Sequence, residues 1–371
     1  MKLLFISNMP SPYQLELFKS IIDNNLAEVH AIFCTWGYPS RDWNKPLLPQ
    51  GFQVLPQISF QYLLPDFILN FGIKRNILNF NPDIAIVGSY MFPGIQHAAS
   101  VFNKLNIPWL FWEEYHLFHR NYFKRKIRSY LLARIVQKCN AILAIGNRAK
   151  SFFEAFSKGE KNVYNFPYAS NLKRFSGKMQ SRECEDLCFI YSGQLIERKG
   201  IDILLRAFFR IAPHYKNTKL LILGDGLLRK ELENMVPRDL LNRVQFKGSL
   251  QWDELPEYYN NSDIFVFPSR HDGWGIAPVE AMASSLPVIS TREVGSMLDL
   301  IQDGYNGFLF EKDDIEGLSK LMVYFCENRP EIKRMGENAC KSITDLDVGR
   351  AGEKLIGILA RVLSENKRAH G

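Results

Sequence analysis

DIFVFPSRHDGWGIAPVEAMASSLPVIST, residues 263–291, opens and closes on short apolar runs, DIFVFPS and PVIST. Both are rich in Val, Ile and Phe and have strand length. Between them lies a glycine-containing turn, then APVEAMASS, in which Pro278 suits a first-turn helix position. Strand, helix and strand in succession make a βαβ unit, and such units build parallel sheets.

The same stretch poses a chemical question. Asp272 stands in the turn, and Glu280 falls in the first turn of the helix, where the dipole favours its charge. Gly273 and Gly275 let a backbone approach a ligand closely and offer N–H groups, with Trp274 between them. A carboxylate so placed can accept a pair of vicinal hydroxyls. The pair alone also fits a glycosidase acid and base or metal ligands, and Glu280 alone fits a surface residue that satisfies the dipole.

Outward from this unit the alternation continues. LCFIYSG leads to the helix GIDILLRAFFRIA, KLLILGDG to LLRKELENMV, and RVQFKGS to DELPEYYNNS; GFLF and further helices follow. The N-terminal half alternates likewise: KLLFIS, YQLELFKSII, AEVHAIFC, DIAIVGS, GIQHAASVFNKL, IPWLFW, a basic helix, NAILAIG and NRAKSFFEAF. The fold class is therefore α/β, with two doubly wound domains. Residues 1–168 form the first, the aperiodic polar stretch 169–187 a linker, and 188–346 the second. Residues 347–371 read as a C-terminal helix packing back on the first. In such sheets ligands sit at the carboxyl ends of the strands. Lys199, the glycines of LGDG and Asp272 all follow strands and converge on one edge.

The chain of 371 residues is 46% hydrophobic and 23% charged, a globular composition long enough for two cores. Residues 1–170 carry 18 Lys+Arg against 10 Asp+Glu, and the remainder 28 against 29, so the net +7 belongs to the first half. An anionic partner is expected there. No apolar run approaches the roughly 18–20 residues of a membrane span, and MKLLFISNMPSPY reads as a first strand rather than a signal peptide. The six cysteines (34, 139, 184, 188, 326, 340) are scattered among apolar positions without metal-site spacing, so reduced thiols and no metal are expected.

YSGQLIERKG, 191–200, is a strand, a turn at Gly193 and Gln194, and the basic pair Arg198–Lys199 entering a helix. That arrangement suits a diphosphate; it also fits a solvated βα loop. No GxGxxG accompanies LGDG, which argues against nicotinamide binding. WLFWEEYHLFH, 109–119, sets Glu113, Glu114, His116 and His119 at a strand end expected to face an interdomain cleft. RNYFKRKIRSYLLARIVQK, 120–138, holds seven basic and no acidic residues. Phe123, Ile127, Leu131 and Ile135 recur in it every four residues, as on a helix that lies on an anionic membrane or packs on the sheet. No nucleic-acid motif accompanies the charge. Trp36, Tyr38, Trp43 and Tyr90 are aromatics near loops that could stack on a sugar ring.

SGQLIERKG, LGDG, VQFKGSL, residues 263–291 and DGYNGFLF together resemble, in order and spacing, the retaining nucleotide-sugar glycosyltransferases of family 4, whose fold is GT-B. SNMPSPYQLELF and PDIAIVGSY are similar to that family more loosely. The resemblance implies that Asp272 and Glu280 hold its paired-acid motif, with seven residues between them. Asp272 and the backbone of Gly273–Gly275 would then contact the donor sugar and Glu280 the ribose. Lys199, with Arg198, would neutralise the diphosphate, and Phe246, Lys247 and Gly248 would flank the base. The family's catalytic-position histidine corresponds to Glu114, six residues past Pro108, with His116 two further on. Departures are Asp272 where Glu is usual and Gln194 where Arg is common.

The resemblance implies metal-independent, configuration-retaining transfer from a nucleoside-diphosphate sugar, UDP- or GDP-linked, with no further cofactor. The acceptor would be a glycan or lipid-linked hydroxyl on the N-terminal domain, at the inner face of a cell membrane. Closure of the two domains would exclude water. Two alternatives stand beside this: a membrane-associated scaffold of the same fold without turnover, and a nucleotide-sugar epimerase or phosphorylase.

Overall fold

The structure, a computed structural model, describes residues 1–37, 46–59, 68–115, 121–176 and 186–370. The chain divides into two compact units, Met1–Ala169 with Val348–Gly371, and Ser170–Asp347.

The first unit is built on seven parallel strands: β1 (Lys2–Ser7), β2 (Glu28–Phe33), β3 (Phe52–Val54), β6 (Ile84–Gly88), β7 (Trp109–Glu114), β8 (Ala141–Ile145) and β9 (Asn162–Asn165). Their order is β3-β2-β1-β6-β7-β8-β9. A short antiparallel pair, β4 (Gln57–Ser59) and β5 (Ile68–Asn70), stands outside the sheet. β6 and β8 are buried along their whole length, which explains their unbroken apolar sequences: helices cover both faces. Those helices are α1 (Pro12–Asp23), α2 (Ile73–Phe80), α3 (Pro93–Lys104), α4 (Tyr122–Lys138) and α5 (Asn147–Phe156). The C-terminal helix, Val348–His370, packs on α1, where Gly352 brings it against Ile21.

Phe5, Phe18 and Trp112 form an aromatic cluster beneath the carboxyl end of β7. The Trp112 indole also donates to the Phe166 carbonyl at 3.0 Å. The residues that follow Trp112 thus start from a fixed base.

In α4 the four-residue stripe divides. Ile135 is buried with Leu132 and Val136, whereas Phe123 is 76% and Ile127 57% exposed. The helix packs through its second half and presents its first half to solvent.

The second unit carries six parallel strands in the order β12-β11-β10-β13-β14-β15. They are β10 (Leu187–Ser192), β11 (Thr218–Leu223), β12 (Val244–Gly248), β13 (Ile264–Phe267), β14 (Val288–Thr291) and β15 (Gly307–Phe310). Strand order reverses at β10/β13, as it does at β1/β6 in the first unit, and such reversals open crevices at the carboxyl edge. The helices that matter here are α6 (Leu172–Phe175), α7 (Ile201–Ile211), α8 (Arg229–Asn234), α9 (Leu255–Asn260) and α10 (Ile276–Ala283).

The expected linker of 169–187 is shortened at its start. Residues 170–176 belong to the second unit because Phe175 is fully buried near Tyr259 and its carbonyl accepts from Ser284 Oγ at 3.2 Å. Of the two apolar residues in this stretch, Leu172 stays partly exposed and Phe175 is the one that docks it.

Candidate functional site

In the second unit the turn after β13 is held on both sides. Asp272 N–H donates to the Glu293 carbonyl, Gly295 N–H to that of Asp272, and Ser296 N–H to that of Trp274. Ser296 Oγ donates to the Gly275 carbonyl at 2.9 Å. Gly275 has φ +82°, and a Cβ there would lie 2.8 Å from Val294, so the turn requires glycine. Trp274 is buried, with no hydrogen-bond partner for its indole N–H among the described residues.

Asp272 is paired with Lys199, and Arg198 Nη1 lies 3.6 Å from the same carboxylate oxygen. Burial opposes the Asp272 charge, but Lys199 and Arg198 outweigh it and hold the carboxyl below its ordinary range. Lys199 also lies 4.7 Å from the centre of the Phe267 ring. Arg198 is fixed by donating to the His271 carbonyl at 2.7 Å, and its own carbonyl accepts from Arg270 N–H and Ser269 Oγ. The turn 197–199 and the turn after β13 are therefore one assembly at the start of α7.

Gly193 follows β10, and its carbonyl lies against Gly224 of LGDG so closely that a Cβ on Gly224 would sit 2.0 Å from it. Gln194 uses its carbonyl to accept from Tyr191 at 3.1 Å. Gly224 N–H donates to the Gly248 carbonyl at 2.8 Å, which brings the end of Phe246–Lys247–Gly248 to the same edge. Arg229 in α8, tied to Asp225 and Glu233 at 2.8 Å each, reaches Gly248. Glu280 is 4% exposed in α10 and accepts from Trp252 Nε1 at 3.3 Å. The site residues read from sequence in this half thus lie in β-strand ends, βα turns and helices of one sheet edge, but Glu280 falls past the first turn expected for it, because α10 already starts at Ile276. Sequence reasoning missed Trp252, which stands in the polar loop just past VQFKGSL and is not part of that motif.

In the first unit a cavity of ≈ 260 Å³ opens at the carboxyl ends of β1, β6 and β7. Glu113 and Glu114 line it with Ser7, Asn8, Ser11, Gln14, Tyr90 and Arg128. Glu113 is the more buried carboxylate of the two, and its Oε1 accepts from Glu114 N–H at 3.2 Å. Tyr90 is buried against Phe111, whereas Trp36 is partly exposed. His116, Tyr38 and Trp43 lie outside the described residues, as does Arg120 at the start of the basic stretch.

Ser11 and Gln14 were not singled out by sequence, although Ser-Pro-Tyr-Gln has the form of a capping box at the start of α1. The box is not made. Ser11 is the N-cap without a side-chain cap bond, and Ser11 Oγ and Gln14 Oε1 are buried with no partner among the described residues. Ser89, also on the cavity wall, has φ +71°, a strained value for a residue with a side chain. Unpaired polar atoms and backbone strain thus gather around one polar cavity, a combination that recurs at binding sites.

Residues 178–342 match the family model for glycosyl transferases group 1. An uncharacterised glycosyltransferase of Methanocaldococcus jannaschii is 36% identical over 149 residues, 40% of this chain and 41% of that protein. The sulfoquinovosyl transferase SQD2 of Arabidopsis thaliana is 26% identical over 329 residues, 82% of this chain and 62% of that protein. The aligned stretches therefore span less than two thirds of these relatives' own lengths. The crystal structure of Anabaena HepE in complex with UDP superposes with a TM-score of 0.76 at 16% identity, over 97% of this chain and all of that one. The two Rossmann-like units and this likeness give the fold as GT-B.

Proposed function

We infer that this chain is a group 1 glycosyl transferase and moves a sugar from a nucleoside diphosphate to a hydroxyl of a glycan or lipid-linked acceptor. Retention of the anomeric configuration and independence of divalent metal are part of the reading. The observation that carries it is Glu280, a carboxylate buried midway along α10 on the edge that also presents Lys199, Arg198 and the Gly193–Gln194 turn. That the Anabaena protein of the same fold is found in complex with UDP supports a nucleotide as the donor's leaving group.

In this mechanism Glu280 accepts the ribose hydroxyls, and Phe246–Gly248 flank the base. The diphosphate takes Lys199 and Arg198, so Asp272 is released toward the hydroxyls of the donor sugar. As the bond from the anomeric carbon to the phosphate oxygen breaks, negative charge grows on the diphosphate. Fixed cations aimed at developing charge are the largest usual source of rate. The acceptor oxygen bonds the anomeric carbon on the same face, and its proton passes to the leaving phosphate.

The acceptor belongs in the cavity of the first unit. Gln14 Oε1 and the carboxylates of Glu113 and Glu114 accept hydroxyl protons, which suits a sugar ring and disfavours a bare anion. The exposed half of α4 gives the acceptor its setting. Tyr122, Phe123, Ile127 and Tyr130 are exposed beside Lys124, Arg125 and Lys126, a composition suited to an anionic membrane face. No described helix is long and apolar enough to cross a membrane. Assembly of a polysaccharide or glycolipid is the pathway class proposed.

The test is a thermal-shift panel of UDP-, GDP- and ADP-sugars without metal, on the wild type and Glu280→Ala. A donor at about 100 times its dissociation constant stabilises the fold by about 2.7 kcal/mol. One nucleotide should raise the melting temperature of the wild type alone. No shift with any of them defeats the reading.

A further inference from the structure

Glu280 is not held by its own helix alone. Its Oε1 accepts from Trp252 Nε1 at 3.3 Å, and Trp252 stands in the loop between β12 and α9. The guanidinium of Arg174 lies over the Trp252 ring, 3.8 Å from its centre. Arg174 belongs to α6, whose neighbour Phe175 is fully buried and whose chain is tied to Ser284, just past α10. A cation, an indole and a carboxylate thus follow one another, and both ends of the series are anchored to the helix that carries Glu280.

The chemistry of each contact bears on how the carboxylate is oriented. A carboxylate offers four lone-pair directions on two oxygens, and a pair of vicinal hydroxyls is bound well only when the carboxylate plane is set. An indole N–H is a donor with no acceptor function, so it fixes one of these directions without competing for hydroxyl protons. The arginine over the ring face fixes the indole in turn, at a distance typical of a cation–π contact. Glutamate has three side-chain torsions, and beside the buried Tyr259 hydroxyl, which also faces Glu280, the indole N–H leaves less of the carboxylate to be ordered when ligand arrives.

We propose that Trp252 is a positioning residue for Glu280, setting its carboxylate to accept both hydroxyls of a ribose, and that Arg174 keeps Trp252 in place. The proposal rests on the reading of Glu280 as the nucleoside clamp. It makes selectivity between ribose and deoxyribose depend on a residue that need not touch the sugar.

Calorimetric titration of the full chain with UDP and with 2′-deoxy-UDP tests it. Wild type, Trp252→Phe, Arg174→Ala and Glu280→Gln are compared, each first shown to be folded by its thermal transition. Trp252→Phe keeps an aromatic ring for Arg174 to lie over but removes the N–H. It should weaken UDP binding roughly tenfold, as expected for a lost hydrogen bond to a charged group, and 2′-deoxy-UDP binding much less. The ratio of the two affinities then falls toward one, and Arg174→Ala moves it the same way. An unchanged ratio in Trp252→Phe, or an equal loss for both ligands, overturns the proposal while Glu280→Gln still collapses the ratio. If Glu280→Gln leaves the ratio intact, the clamp reading itself fails and takes the proposal with it.

Discussion

The ammonium of Lys199 is paired with the carboxylate of Asp272, and both side chains are largely shielded from solvent. The residue proposed to meet the diphosphate is thus already neutralised by the residue proposed to meet the sugar. An anionic ligand must displace one carboxylate to gain the cation, and Arg198, at 3.6 Å, is placed to share the load.

Replacing Lys199 by alanine should therefore act twice. Transfer falls by about 10²–10³ in kcat, the scale for losing one preorganised charge at a developing anion. The fold also loses about 3 kcal/mol, because Asp272 is left as a buried charge without its main partner. Initial rates of nucleotide release and denaturant unfolding check the two effects. A rate within threefold of the wild type would move the leaving-group charge to Arg198.

The pair has a pH signature whose sign follows from the lowered Asp272 value. A carboxyl that ionises more easily in the folded than in the unfolded chain contributes stability above its unfolded value, about 3.9. That contribution is lost as pH falls through the lower folded value. Asp272→Asn should be clearly less stable than the wild type at pH 7, and the gap should close in acid. Urea unfolding at pH 7 and near pH 3 measures it, and a gap of equal size at both would mean the ion pair is not its source.

The edge carrying these residues was legible in sequence because local rules and tertiary needs agree there. Apolar runs without alternation mark strands buried on both faces, Pro278 marks a helix start, and the glycines stand where a Cβ has no room, as at Gly224 and Gly275. Other features left no local trace. β3 and β9 are three- and four-residue edge strands, stabilised by their neighbours more than by their own composition. Phe175 docks a polar stretch through one side chain. Trp252, Ser11 and Gln14 matter through partners distant in sequence or through a partner they lack, and neither condition has a period or a motif.

The divided stripe of α4 makes the proposed membrane contact testable. Phe123→Ser with Ile127→Ser removes exposed apolar area from the outer half and touches nothing in the buried half. Melting temperature should stay the same, while co-sedimentation with anionic vesicles weakens at least tenfold, on the order expected for two inserted side chains. Neutral vesicles and raised salt should weaken binding of the wild type as well, since the basic residues act through a screened field. Undiminished binding by the double variant would move the contact to another surface.

The uncapped start of α1 makes the sharpest separation between donor and acceptor. Gln14 occupies the position from which it could cap its own helix, yet its buried oxygen has no partner among the described residues. Burial of such an acceptor is unfavourable by roughly 1–3 kcal/mol unless something else supplies the proton. Gln14→Leu should therefore leave the fold as stable or more so, because the unpaired oxygen is gone. If the cavity holds the acceptor, the same change raises the acceptor KM about tenfold or more and leaves the affinity for the nucleotide untouched. Thermal melting, acceptor titration and nucleotide calorimetry on one variant decide it. A loss of nucleotide affinity with an unchanged acceptor KM would assign the cavity to the donor, and the carboxylates of Glu113 and Glu114 with it.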